Sequence, residues 1–545
     1  MRINHSGICY EGIPAANAIG MALFETSGMR ELIDRRCKYD PGRRNLSPGM
    51  VVKAIIGPTF NVSKKYPLYL TETAYRSTPT DLLFGGGVTN DDLYDTALAR
   101  GLDTLFDADL TSLFTECAGL AARTFGFESN VFHMDSTDIS FSGISHEPDK
   151  PGAAVPKHNG HAKDHRNQLL QYEMQIVTDS NRIIRYMKPY SGNVGDSVMD
   201  SETLDDLARI FDREFLSDAI MVGDCKLATT GNIAKMIDMG MFFVSKCSDT
   251  FVGNARRAVA EWAASAETAE IRPGLRSAGT FRTVELRKGR EETLRFVAFR
   301  RDGKVDAAVE RIRQRAPRDA ESVVSRFKGM RFRKRLDALK AFEKLGLDPE
   351  GPVRFGVDAV FYGSDHPEDV PDWWELRLEP EISEEGILRE ARMSETVVLV
   401  TNLPEPPEDG TVRPGPAASD AGVMDYYNQE YKVEQSFRLM KSGMGMNSIF
   451  LQTPSRENAM MFAVSIAVLI SNIADAMFRR KKVLLKGRQL TMYRLAYEVQ
   501  TTIVIYSRSE NSLSLMGPDE VTKMFFDYTD ALRINPRHLL TYKSG

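Results

Sequence analysis

The period of hydrophobic and polar positions changes along the chain. Over the first 125 or so residues, apolar positions recur at helical spacing. "NLSPGMVVKAIIGP" opens with Ser47 in N-cap position and Pro48 in the first turn, and "TNDDLYDTALARGLDTLF" sets Leu93, Ala97 and Leu102 among its apolar positions. From Asn130 the texture becomes strand-like. "NVFHMDSTDISFSG" is an apolar strand carrying Asp135, and "LLQYEMQIVTDSNRIIRYMKPY" predicts two strands joined by a turn at Asp179-Ser180-Asn181. A helix in "MDSETLDDLARIFDREF" comes next, then a short buried strand "DAIMVGD" ending at Asp224, a helix through "GNIAKMIDMG" and the strand "MFFVSK". This alternation is an α/β order.

Cys247 to Glu395 interrupts that order with strand candidates "RTVELRK", "TLRFVAFR" and "WWELRLEP" and a basic helical run. "TVVLVTNL" (Thr396 to Leu403) is again a buried strand, and a Pro/Gly/Glu-rich loop leads to "YYNQEYKVEQSFRLMKSGMGM". Its spacing predicts one helix over Tyr426 to Met446 with two stripes. Tyr426, Val433, Phe437 and Met440 form an apolar, core-facing stripe; Tyr427, Glu430, Glu434, Arg438 and Lys441 form a polar one beside it. Glu434 and Arg438 alone would be an ordinary i,i+4 pair on a solvated face. The most apolar segment, Met460 to Phe478, contains Ser471, Asn472 and Asp475 and reads as a buried helix rather than a membrane span.

At 545 residues the chain should hold several domains, and 42% hydrophobic with 27% charged residues is a globular composition. Cys9, Cys37, Cys117, Cys225 and Cys247 are scattered without a C-x-x-C pair, which predicts a reducing compartment and neither a disulfide framework nor a thiolate zinc site. No signal-peptide pattern opens the sequence, so a cytoplasmic location is expected. The net charge of −5 suggests no polyanion partner, but it hides local fields: Arg300–Lys344 carries 15 Lys and Arg against 7 Asp and Glu, and Gly346–Asp420 reverses this with 5 against 18. His158, His161 and His165 have metal-like spacing, although Gly160 breaks a helical site and no fourth ligand is near.

Asp135 and Asp224 lie in or at the ends of strands, where ligands gather in α/β sheets, and Glu434 lies on a dedicated helical stripe. Three converging carboxylates repel one another unless cations sit among them. Hard oxygen ligands favour Mg²⁺ or Mn²⁺, and two such ions about 4 Å apart suit in-line displacement at phosphorus.

These segments together resemble a DDE transposase of bacterial insertion sequences. "HMDST" resembles the family's first-aspartate strand, "GHAKDHRNQLLQ" the stretch before the second strand, and "SGNVGD" a Gly-Asn-x-x-Asp element. "VGDCKLATTGNIAKM" resembles the second-aspartate motif, and "YNQEYKVEQSFRLMK" the Tyr-x2-Arg-x3-Glu-x6-Lys signature. The resemblance covers nearly the whole chain. It implies an α/β fold: an RNase H-like catalytic core interrupted by a mixed β-rich insertion domain and preceded by a helical N-terminal domain. The implied organisation is 1–125 helical and suited to DNA-end binding, 126–246 first part of the core, 247–395 insertion, 396–482 second part of the core with the glutamate helix, and 483–545 a C-terminal helical region. Asp135, Asp224 and Glu434 become the catalytic residues and ligands of two Mg²⁺ or Mn²⁺ ions, and Tyr427 and Lys441 match the outer signature positions. Glu430 departs from the expected Arg, and Lys432 or Arg438 would supply the missing charge.

The implied activity is cleavage at the terminal inverted repeats and joining of 3′-OH ends to target DNA, by a homodimer on DNA in the prokaryotic cytoplasm. Arg331, Arg333, Lys334 and Arg335 in "RFRKR" and the "RRKK" run from Arg479 to Lys482 are candidate phosphate contacts or solvated surface. Trp373 and Trp374 would stack on an unpaired or flipped base, worth roughly 1–3 kcal/mol, or pack in a core. Two rival readings remain at this stage: a metal nuclease that cuts without joining, and a catalytically silent DNA-binding protein derived from a transposase.

Overall fold

A computed structural model describes residues 3–539 except 6–7, 43–44, 63–65, 142–147, 151, 161–168, 253, 364–371, 408–414, 430, 444–450, 508–509, 511 and 535–538. The chain forms two compact units. One comprises Met1–Leu227, Lys235–Met241 and Tyr426–Gly545; the other comprises Ala228–Ala234 and Phe242–Asp425.

The first unit is organised by helix Pro454–Arg480. Its 27 residues include an apolar window that is 94% buried, and a helix apolar on every side belongs in the middle of a core. Length and hydropathy alone would let it cross a membrane. Instead it shares one hydrophobic cluster with the helices Ala15–Thr26, Met29–Arg36, Pro48–Ile56, Asp95–Phe106 and Leu110–Phe125 and with strand residues Ile139, Met174 and Ile176. The helical stretch expected at 1–125 therefore has no core of its own. Local signals set its helix ends as the sequence suggests: Ser47 accepts from the Met50 N–H with Pro48 in the first turn. Gly126, at φ 70°, closes Leu110–Phe125, and the Phe127 N–H reaches back to the Ala122 carbonyl.

Beyond that cap lies the sheet that positions the site. Its order is Ile184–Ser191, Leu170–Asp179, Val131–Phe141, Ile220–Gly223, with the short strand His158–Asn159 also on Leu170–Asp179. The first three pair antiparallel, and Ile220–Gly223 joins parallel to Val131–Phe141, the strand order of an RNase H-like core. The hairpin at Asp179 is closed by its own carboxylate, which accepts from the Asn181 and Ile183 N–H groups and from Arg185. The stretch expected to be a C-terminal helical region also supplies strands Ile503–Ser507 and Ser512–Met516. Ile503–Ser507 pairs with Ile8–Pro14, so the two ends of the chain share one four-stranded sheet.

The second unit holds an antiparallel sheet, Phe242–Lys246, Val397–Thr401, Arg290–Arg301, Leu275–Arg287 and Ala269–Arg272. It also holds a separate hairpin, Val353–Tyr362 with Trp373–Ile382. Helices Ala255–Ser265, Asp302–Phe327, Arg335–Glu343 and Glu384–Ser394 lie between or beside these strands. Phe242–Lys246 pairs with Val397–Thr401, which pairs in turn with Arg290–Arg301 of the 247–395 segment.

Polar exceptions fix the first unit's core. Glu457, in the first turn of Pro454–Arg480, is fully enclosed; it pairs with buried Lys157 at 2.6 Å and accepts from the Tyr172 hydroxyl at 2.5 Å. Removing one partner of a buried pair leaves an uncompensated charge, which costs about 3–5 kcal/mol. Glu457→Gln, measured by urea unfolding, is expected to lose stability on that scale. Lys157→Met with Glu457→Leu should recover most of it. Equal stability of Glu457→Gln and wild type would remove this ion pair from the account.

Candidate functional site

Asp135 occupies the middle of Val131–Phe141, opposite Ile176 on the antiparallel neighbour. On the other side, the parallel register places Met134 beside Gly223. One step further, where Ile220–Gly223 ends, Asp135 and Asp224 come level, both half-buried. Each carboxylate is oriented by backbone: Asp135 Oδ1 accepts from the Ser136 N–H at 2.8 Å, and Asp224 Oδ1 from the Lys226 N–H at 2.7 Å. The site thus sits outside the carboxyl end of a parallel strand.

Two more carboxylates join from helix Asp196–Ile210. Ser136 Oγ donates to Asp196 Oδ1 at 3.0 Å, and Gln175 Nε2 donates to Asp200 Oδ1 at 2.8 Å. Ser136 and Gln175 are cross-strand partners, so both reach the helix from one sheet face. Burial chiefly, then the charge on Asp224, pushes the Asp200 carboxyl up to about 8; Asp196 and Asp135 add to this, and the Gln175 bond opposes it. Such accumulated negative potential suits a hard divalent cation bound through oxygen ligands.

Glu434 projects, exposed, from helix Tyr431–Arg438. That helix docks through Val433 and Phe437, with Met440 just beyond, into the cluster containing Ile139, Met174 and Ile176. Directly opposed residues share a sheet face, so Ile176 places Asp135 on the face this helix covers. The structure brings Asp135 and Asp224 together but does not draw Glu434 into a closed group. Among the described residues, no three His, Cys, Asp or Glu side chains stand ready to hold a metal ion.

The single helix expected over Tyr426–Met446 is in fact two helices and a π-helical turn. Asp420–Tyr427 ends in a turn where the Gln429 N–H meets the Tyr426 carbonyl; Tyr431–Arg438 comes next, then the π turn Leu439–Gly443. Tyr427 therefore closes one helix while Glu434 rides on the next. Lys441, inside the π turn, forms an ion pair with buried Asp138 at 3.2 Å. The expected DNA-facing lysine thus has a carboxylate partner in this structure. Glu430 and the side chain of Lys432 lie outside the described residues, as do His161 and His165. His158 Nδ1 lies 2.9 Å from the Asn159 carbonyl.

In the second unit, the basic run is largely matched by acids. Helix Asp302–Phe327 packs on Glu384–Ser394, with Arg313 on Glu384, Arg315 on Glu390 and Arg311 on Glu395. Arg333 and Lys334 are exposed, and Arg335 faces Asp358 at 3.9 Å. Trp373 is half-buried between the Arg331 guanidinium, 4.1 Å from its ring, and Tyr362, nearly parallel at 5.7 Å, and its Nε1 donates to Glu375. Trp374 tilts against Phe361, while its backbone bridges to Phe332.

Sequence reasoning missed Asp200, Gln175 and Asp138 and gave Asp196 no role. Asp196 and Asp200 do stand four apart, on one helical face. The signal is weak because Asp205 and Asp206 of the same helix instead pair with Lys235 and Lys188. The raised Asp200 has a pH consequence with a definite sign. With a folded pKa of about 8 against an unfolded value of 3.8, the folded chain keeps a proton that the unfolded chain loses. This stabilising contribution is complete below about pH 4 and is lost as pH rises through about 8. In EDTA, the melting temperature of wild type should fall more between pH 5 and pH 9 than that of Asp200→Asn. Parallel pH profiles would show that Asp200 ionises freely.

Comparison with known proteins places the site in context. A family described as "Domain of unknown function (DUF4277)" matches residues 18–119. No curated protein matches the chain. Among solved structures, a piggyBac transposase synaptic complex with hairpin DNA is 10% identical, with a TM-score of 0.35, covering 98% of this chain and 88% of that one. The family described as "Transposase DDE domain" matches residues 126–470, a span that includes Asp135, Asp224 and Glu434. The chain is a member of the DDE transposase family.

Proposed function

We propose that this transposase cleaves DNA at the terminal repeats of its element and joins the freed 3′-OH ends to target DNA, with Asp135, Asp224 and Glu434 as the catalytic carboxylates. The observation that carries the reading is the level pairing of Asp135 and Asp224 at a strand end, on the face covered by the Glu434 helix. Divalent cations of the Mg²⁺ or Mn²⁺ class, held by these three residues, would supply charge neutralisation at the phosphorus and activation of the attacking oxygen. Asp135 and Asp224 are already oriented by the Ser136 and Lys226 N–H groups. Glu434, exposed on a helix docked through Val433 and Phe437, would complete the set once DNA and cations are bound.

DNA is held by charge. Tyr427, Lys441 and the exposed Arg333 and Lys334 are the proposed backbone contacts, with Arg331, Arg335, Trp373 and Trp374 forming an aromatic and basic surface on the hairpin. Backbone contacts of this kind position the duplex without reading its sequence. Lys441 would exchange Asp138 for a phosphate as DNA enters. Two element ends must be joined in one event, so a homodimer on DNA is part of the proposal, as are an insertion-sequence origin and a cytoplasmic setting.

Exposure of Glu434 outside a closed ligand group keeps one second reading in view, a DNA-binding protein that no longer cuts. One experiment separates them. Labelled duplex carrying the element's ends is incubated with a target plasmid, in Mg²⁺ or EDTA, with wild type, Asp135→Asn, Asp224→Asn and Glu434→Gln. Mg²⁺-dependent cleavage and joining by wild type, reduced to background in all three variants, is the expected outcome. Binding without cleavage by wild type favours the silent protein, and full joining by Glu434→Gln excludes Glu434 as a ligand.

A further inference from the structure

We propose that the start of helix Asp302–Phe327, in the second unit, carries an oxyanion-binding site of the phosphate class centred on Arg300. A cavity of about 230 Å³ there is bordered by Lys246, Arg256, Arg300, Arg301 and Lys304, with Glu395 the one acid among the described residues of its wall. All of them belong to the second unit. Glu395 is taken by Arg311, and Arg256 by Asp249. Among the described residues, no carboxylate pairs with Lys246, Arg300, Arg301 or Lys304. The basic run that acids match along the rest of this helix is therefore unmatched where it begins.

Arg300 is the decisive member. It is 7% exposed, and its Nη1 is enclosed without a hydrogen-bond partner. A guanidinium stays charged in a protein, and a buried charge is ordinarily paired. Here the neighbours add charge of the same sign. Arg276 stands directly opposite on the next strand, on the same sheet face, and Arg392 approaches from helix Glu384–Ser394. Both bond to neutral oxygens, Arg276 at Thr268 and Arg392 at the Ala264 carbonyl, so their charge is not compensated. Burial chiefly, then Arg392 and Arg276, lowers the Arg300 pKa, and exposed Asp302 opposes this from the first turn of the helix.

Backbone adds to the field. The Asp302 N–H is taken by the Gly274 carbonyl, but the first-turn N–H groups after it lack intrahelical acceptors, and a helix end of this kind favours anions. The carbonyls that close helix Glu384–Ser394 on the same wall are engaged, since the Ser394 and Thr396 hydroxyls donate to Ala391 and Arg392. Guanidinium forks match tetrahedral oxyanions in geometry as well as charge, which points to phosphate. The cavity is smaller than the roughly 300–1,000 Å³ of pockets that enclose whole organic ligands, so it suits a single anionic group. A phosphodiester of DNA and free phosphate both offer that group. The site stands on its own charges, and only the DNA source rests on the function proposed above.

The test uses full-length protein in EDTA, so that cleavage enters no reading. Thermal melting is followed as inorganic phosphate replaces chloride at constant ionic strength, for wild type, Arg300→Met and the double variant Arg301→Gln with Lys304→Gln. Phosphate is expected to raise the wild-type melting temperature, to lose that effect in Arg300→Met and to raise the double variant less. The double variant changes exposed positions only, so the test stands even where Arg300→Met folds poorly. Duplex binding across a salt series then separates the two sources. A log–log slope lower by about two in the double variant, one per cation removed, assigns the phosphate to DNA, and an unchanged slope assigns it to the free ion. A rise in melting that survives undiminished in the variants would overturn the site. So would no rise in wild type together with duplex affinity and slope unmoved in the variants. A wild type that shows the expected binding yet never cuts DNA refutes the function proposed above and leaves the site standing.

Discussion

The burial of helix Pro454–Arg480 is the constraint on which the first unit depends. Fully burying a large aliphatic or aromatic side chain contributes about 1.5–3 kcal/mol, and this helix buries Met461, Phe462, Ile466, Val468, Leu469, Ile473 and Phe478 among others. A helix buried on every side has no solvent face to set its rotation. Its few polar groups do that instead: Glu457 meets Lys157 and Tyr172, Asn458 bonds to Val155, and Asn472 accepts from Ser436. The last contact matters most for function, because Ser436 belongs to the helix that carries Glu434. The core thereby helps to fix the rotation of the helix that carries Glu434.

Around the end of strand Ile220–Gly223, strand pairing works against electrostatics. Backbone hydrogen bonds hold Asp135 beside Asp224, and Ser136 and Gln175 bring Asp196 and Asp200 toward them. Left to themselves, four carboxylates would separate. The fold prevents it, and Asp200 responds by keeping its proton. Groups pushed away from their ordinary ionisation in this way cluster at functional sites.

The features legible in the sequence were those that depend on near neighbours. Period-2 and period-3.6 patterns gave the α/β order, Ser47 and Pro48 gave a helix start, and strand-end aspartates gave two carboxylates that the sheet sets side by side. The features hidden from it depend on partners far along the chain. Lys441 meets Asp138 across 303 positions, and Ile8–Pro14 pairs with Ile503–Ser507, so neither had a local signature. The same holds for charge: the arginines of Asp302–Phe327 looked available until the fold laid the glutamates of Glu384–Ser394 beside them. Asp200 is the sharpest case, since its burial near Asp224 and Asp135, which lie on other elements, separates it from the solvated acids of its own helix.

The two-turn helix Tyr431–Arg438 then carries more of the function than its length suggests. Val433 and Phe437 face the core, Glu434 faces outward, and Gln435 and Arg438 border a cavity on its flank. Three roles on eight residues leave no freedom in phase, because a rotation that improved one would misplace the other two. The π turn at Leu439–Gly443 relieves this crowding. Within it Met440 is buried and Lys441 reaches the sheet at Asp138. In a regular α-helix Lys441 would lie two turns, about 10 Å, beyond Glu434; its ion pair with Asp138 ties it to the sheet instead.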